Sequence, residues 1–135
     1  MKKPAKIFTT SVKLYISLLI LSTIAILYGT LFPADYNLPD SIWSYDKVAH
    51  FVMFGVWTFF FGIVRFLKGN YSLFPVFLLS ALFGVIVEML QYLLPTNRSA
   101  ELFDLVADVT GSGFAILLLY MILKNVSEFK SEATS

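Results

Sequence analysis

Asp46, Lys47, His50, Glu88, Gln91, Arg98, Asp104 and Asp108 stand toward one end of long apolar runs in a sequence where charge is otherwise sparse. An ionisable group at membrane depth is costly unless it faces a protein interior, a wet cavity or an opposite charge. Their common depth predicts one shared polar recess. Within it Lys47 and Arg98 are fixed cations that can hold an anion, Arg98 as a planar fork and Lys47 as a point charge. Glu88, Asp104, Asp108 and His50 can hold or pass a proton. Like charges crowded into a poorly solvated place cannot all stay ionised, so a shared proton is expected among the carboxylates.

The elements that must position these groups are apolar helices. Of 135 residues, 58% are hydrophobic and 14% charged, which places the chain among integral membrane proteins. A helix needs about 20 apolar residues to cross a bilayer core, and four segments approach that length: Leu14 to Phe32, Val48 to Val64, Leu73 to Leu94 and Leu102 to Leu123. The expected fold is all-α, a bundle of four transmembrane helices. Residues 1–13 form a basic N-terminal segment, 14–124 the membrane domain, and 125–135 a polar tail expected to be unstructured. Little length remains for a soluble catalytic lobe or a nucleotide-binding fold. A net charge of +1 gives nucleic acid no basic surface to bind. Without cysteine there is no disulfide, thiolate nucleophile or thiolate metal site. Four lysines precede the first apolar run as they would in a secretory leader, but its length and the lack of a clear small-x-small cleavage site predict a retained helix.

Lysines and arginines of short-looped membrane proteins collect on the cytoplasmic side. Lys2, Lys3, Lys6, Lys13, Arg65, Lys68, Lys124 and Lys130 fall on one side of the predicted bundle, while Lys47 and Arg98 share the other with Asp35, Asp40, Asp46, Glu101, Asp104 and Asp108. Both termini are therefore expected in the cytoplasm and the polar recess at the outer leaflet. Tyr28, Tyr36, Trp43, Tyr45 and Tyr92 would line the outer interface. Pro33 and Pro39 break the chain between the first two helices, and Asp46 is expected to cap the second. Lys47 and His50, in the first turn of a helix so placed, would oppose its dipole and call for a carboxylate nearby.

The third and fourth helices carry matching stripes. Ser80, Gly84, Glu88 and Gln91 recur at spacings of four, four and three, and Asp104, Asp108, Gly111 and Ala115 at four, three and four, so each set shares a face. The two stripes are expected to face each other, carboxylates toward the outer end and small residues, Ala107, Gly111 and Ala115, packed closely below.

The ordered set Asp46-Lys47-x-x-His50-Phe51, Glu88-x-x-Gln91, Arg98 and Asp104-x-x-x-Asp108-x-x-Gly111 resembles the VanZ-like family of small bacterial membrane proteins, over about half of the chain. The family positions fall on Asp46, Lys47, His50, Glu88, Gln91, Arg98, Asp104 and Gly111; Asp108 stands where relatives commonly carry Asn. The resemblance implies a multi-pass protein of the bacterial cytoplasmic membrane, with an effect on the cell wall or on glycopeptide susceptibility. It brings no established reaction.

Three readings follow. In the first, the outer-leaflet recess binds a membrane lipid or precursor bearing phosphate, an anionic component of the envelope or cell wall, through Lys47, Arg98 and the helix N-termini. In the second, the chain is an intramembrane enzyme with His50 or Glu88 as acid or base and Arg98 stabilising negative charge. No Gly-x-Ser-x-Gly elbow supplies a nucleophile. A metal held by His50, Glu88 and Asp104 is geometrically conceivable, but their spacing is no metal signature and no metal or cofactor is expected. In the third, the polar groups only hold helices together, each contact worth about 0.6 to 2 kcal/mol. Four helices are few for an independent transporter, which leaves a role for a homo-oligomer or a partner protein.

Overall fold

A computed structural model describes residues 4–32, 40–95 and 100–132, with side chains for 12–32, 45–95 and 100–124. It is all-helical there: α1 is Pro4–Leu31, α2 Asp40–Leu67, α3 Phe74–Leu93 and α4 Leu102–Glu132. Each contains a stretch long and apolar enough to cross a membrane, Val12–Leu31, Tyr45–Leu67, Phe74–Leu93 and Leu102–Lys124. An even number of crossings returns the chain to the side on which it began.

Three helices run past their expected ends, α1 starting at Pro4 rather than Leu14. The α2 helix begins at Asp40 rather than beside Asp46, because Asp40 to Tyr45 contains no glycine or proline to stop it winding. Asp46 is thus an interior helical residue, not a cap, and Lys47 and His50 lie beyond the first turn where the dipole is concentrated. The tail expected to be unstructured is helical as far as Glu132, since the residues after Lys124 include neither breaker and several good helix formers. Between α2 and α3 the chain reverses through Gly69 at φ +84°. The Asn70 N–H reaches the Arg65 carbonyl and the Gly69 N–H that of Phe66, both at 2.9 Å, a Schellman closure that needs the left-handed residue glycine supplies. Pro75, in the first turn of α3, removes an N–H that would have no partner there.

The most extensive helix pair is α2 with α4, and sequence explains why. A Cβ on Gly111 would run into the carbonyl of Phe51, and one on Gly55 would stand 3.2 Å from the carbonyl of Gly111. Backbone therefore meets backbone, with no side chain between. The small-residue stripe of α4 accordingly serves α2, not α3 as its spacing suggested; α3 meets the same helix one step round, where Gly84 leaves room for Asp108, whose Oδ2 would lie 3.1 Å from an added Cβ. Glycine gives the closest approach to whichever neighbour holds its own small residue in register, and Gly55 does so for α2.

The first helix is peripheral, with 11% of its apolar window buried against 28–33% in the others. Ile26, Phe54 and Val87 form a small core joining α1, α2 and α3, and the Trp57 indole N–H donates to Thr23 Oγ1 at 2.8 Å. Large apolar side chains such as Leu21, Ile24, Leu82, Met89 and Ile122 face outward. In water this would be a liability; in a bilayer it is the lipid-facing surface.

Candidate functional site

At the end of the bundle where α1 and α3 finish and α2 and α4 start, the polar residues converge. The Lys47 Nζ lies 2.8 Å from Glu101 Oε2 and 3.2 Å from Asp104 Oδ1. One turn deeper, His50 Nδ1 is 2.8 Å from Asp108 Oδ1, both side chains fully buried. These pairs arise because Lys47 and His50 sit three residues apart on α2 and Asp104 and Asp108 four apart on α4, so two rows face across the glycine-tight seam. The carboxylates anticipated near Lys47 and His50 are therefore present.

From α3, Glu88 enters the same place and is 8% exposed. Its Oε2 accepts the backbone N–H of Glu101 at 3.1 Å. Glu101 immediately precedes α4, where backbone N–H groups lack helical partners and the dipole favours negative charge. Asp104, in the first turn of α4, benefits in the same way. Gln91, one turn beyond Glu88, turns to α1 instead: its Nε2 donates to the Thr30 carbonyl at 3.0 Å, one of the last carbonyls of that helix, which no helical N–H reaches.

Of the residues singled out by sequence, Asp46, Lys47, His50, Glu88, Asp104 and Asp108 come together, and Gln91 stands beside them tying α1 to α3. Arg98 lies outside the described residues. Asp46 is half-buried and brings a carboxylate oxygen within 4.8 Å of ligand atoms of His50 and Asp104; a second set, His50, Glu88 and Asp108, meets the same limit. Asp108 thus takes the place that sequence reasoning gave to Asp104 beside Glu88 and His50.

Sequence reasoning passed over two features. Glu101 was read only as a loop acid, yet it pairs with Lys47 and presents its N–H to Glu88; its position just ahead of the Asp104 stripe was the signal. Deeper in the bundle, Thr58 Oγ1 is 2.8 Å from Ser80 Oγ and 3.0 Å from Ser112 Oγ, all three buried. Each hydroxyl has one proton to give, and those of Thr58 and Ser80 also have the carbonyls of Phe54 and Val76 in reach, at 2.7 and 2.9 Å. Ser112 follows Gly111 and Thr58 lies eight residues from His50, so helical spacing held that information for Thr58.

Several polar atoms in the recess have no partner. His50 Nε2, Glu88 Oε1, Gln91 Oε1 and Asp108 Oδ2 are buried and make no hydrogen bond among the described residues. Just below it, along the α2–α4 seam, an apolar groove of about 370 Å³ runs past Phe51, Gly55, Phe59, Phe114, Ala115 and Leu118. Lys47 lies on α2 one turn before the groove-lining Phe51, Gly55 and Phe59, at the four-residue spacing that keeps successive residues on neighbouring positions of one face.

Among known proteins, the family model described as VanZ/LLP1 matches residues 3–124. That range takes in all four apolar spans, α1 included, well beyond the stretch carrying the motif residues. Comparisons with curated proteins and with solved structures found no match.

Proposed function

The chain belongs to the VanZ/LLP1 family, and from that premise we propose that its charged recess faces the outer leaflet of the bacterial cytoplasmic membrane and binds a phosphate-bearing envelope lipid or cell-wall precursor, so influencing glycopeptide susceptibility. One observation carries the reading: on α2, Lys47 stands one helical turn before Phe51, a lining residue of the apolar α2–α4 groove. An amphipathic anion needs both parts, a cation for its head and a dry channel for its chain. The Lys47 side chain is 40% exposed, and an ammonium has three N–H donors, of which Glu101 and Asp104 take two. Arg98, three residues before Glu101 in sequence, is the proposed second phosphate ligand.

Glu101 competes with the phosphate for Lys47 in this reading. Lipids retained by the purified protein in mild detergent, identified by native mass spectrometry, test it. Lys47→Ala and Arg98→Ala should each cut retention of phosphate-bearing lipid about tenfold, a loss of some 1.4 kcal/mol, and Glu101→Gln should raise it. Undiminished retention in both cation variants would sink the proposal.

A second reading, an intramembrane enzyme, draws on the hydrogen bond between His50 and Asp108 beside Glu88, since a carboxylate-oriented imidazole can act as a base. Turnover of a lipid phosphate or pyrophosphate by the purified protein, lost in His50→Gln, would establish it over simple binding.

A further inference from the structure

We infer that His50, Glu88 and Asp108 form a binding site for a divalent transition-metal cation, Zn²⁺ or Mn²⁺, buried between α2, α3 and α4. The three residues come from three different helices, are all buried, and each offers a ligand atom within 4.8 Å of the others'. The second observation is independent of that proximity: Oε1 of Glu88 and Oδ2 of Asp108 are buried and have no hydrogen-bond partner among the described residues.

The chemistry of those atoms decides what fits. In the tautomer protonated at Nε2, Nδ1 of His50 bears a lone pair beside Asp108 Oδ1, 2.8 Å away, a spacing that two ligands of one cation can have. The carboxylate oxygens are acceptors only. A pocket of acceptors in a poorly solvated interior is satisfied by positive charge or by donated protons. The lysine that could supply charge is held higher in the recess by Glu101 and Asp104. One nitrogen with two oxygens suits a borderline cation better than Mg²⁺ or Ca²⁺, which prefer all-oxygen shells, and three protein ligands leave a position open for a further oxygen donor.

The site stands apart from the lipid reading, since its test contains no phosphate-bearing lipid. The chain has a single histidine, so full-length protein labelled with ¹⁵N-histidine and purified through a tag without histidine shows only two ring-nitrogen resonances. After metal removal with a chelator, one equivalent of Zn²⁺ should shift the His50 ring resonances and ¹¹³Cd²⁺ should split one of them, whereas Mg²⁺ should do neither. Mn²⁺ should compete with Zn²⁺ in equilibrium dialysis. Glu88→Gln, checked for folding by circular dichroism and size exclusion, should weaken Zn²⁺ at least about tenfold. Ring resonances unmoved by saturating Zn²⁺ would overturn the site, because that readout uses the unaltered chain and does not depend on a variant folding. Unchanged Zn²⁺ affinity in folded Glu88→Gln would overturn it equally.

Discussion

Nδ1 of His50 on α2 lies 2.8 Å from Oδ1 of Asp108 on α4, with neither side chain reaching solvent or lipid. Removing one member strands the other in a low-dielectric interior, at a cost of about 3–5 kcal/mol when the survivor stays charged. The net coupling of two partners across membrane helices is smaller, about 0.6–1.7 kcal/mol. His50→Ala and Asp108→Ala should each therefore destabilise the protein by more than the coupling energy of the double-mutant cycle, measured by unfolding in mixed detergent micelles. Single variants within about 0.5 kcal/mol of wild type, the scatter of ordinary surface changes, would show that the pair contributes little.

Lys47 faces two carboxylates of unequal burial, Glu101 at 42% exposed and Asp104 at 4%. Neutralising the exposed one should matter little, and Glu101→Gln is expected within about 1 kcal/mol of wild type. Lys47→Ala leaves Asp104 buried without its cation and should cost about 1–3 kcal/mol. The order of the two is checked by thermal unfolding in one detergent; the reverse order would mean that Asp104 finds another partner.

The glycines of the bundle make a sharper contrast. At Gly111 an added methyl meets the fixed backbone of Phe51, whereas at Gly62 it meets the tip of the Leu119 side chain, which can turn away. Gly111→Ala should thus lower stability by about 1–3 kcal/mol through overpacking. Gly62→Ala should fall well short of that. Equal losses would imply that the α2–α4 backbones separate more readily than their contact suggests.

Thr58, Ser80 and Ser112 share hydrogen bonds among α2, α3 and α4. Each of Thr58→Val, Ser80→Ala and Ser112→Ala should cost about 0.6–1.7 kcal/mol. The triple variant should lose less than the three added together, because members of one network are not independent. Strict additivity in equilibrium unfolding would show three separate contacts.

Much of this site could be read from spacing. Asp104, Asp108 and Gly111 at i, i+4 and i+7 do share a buried face, as do Ser80, Gly84, Glu88 and Gln91, since helical periodicity fixes which residues lie together on one rod. What periodicity leaves open is which rod lies opposite. Gly111 packs on Phe51 because Gly55 admits the approach, a relation between two helices that neither sequence stripe contains. Nor could Asp46 be distinguished from a cap, as helix starts depend on where winding becomes favourable rather than on one good capping residue. Glu101 was hidden for the related reason that its role rests partly on its backbone N–H, which every residue except proline has.

Orientation is open to direct measurement, because the chain has no cysteine to remove first. Single cysteines at Tyr36 and Asn70 should label from opposite faces of the membrane, the first from outside and the second only after permeabilisation, if both termini are cytoplasmic. Labelling in the opposite pattern would turn the charged recess toward the cytosol and remove the envelope lipid from consideration.

The contact of Gly111 with the Phe51 carbonyl also limits how this bundle can move. Main chains touching without intervening side chains leave no slack for sliding, so a shift of α2 along α4 would drive backbone into backbone. The first helix is held differently, through side chains: its ties include Trp57 to Thr23 and Gln91 to Thr30, and it has the smallest buried share of the four spans.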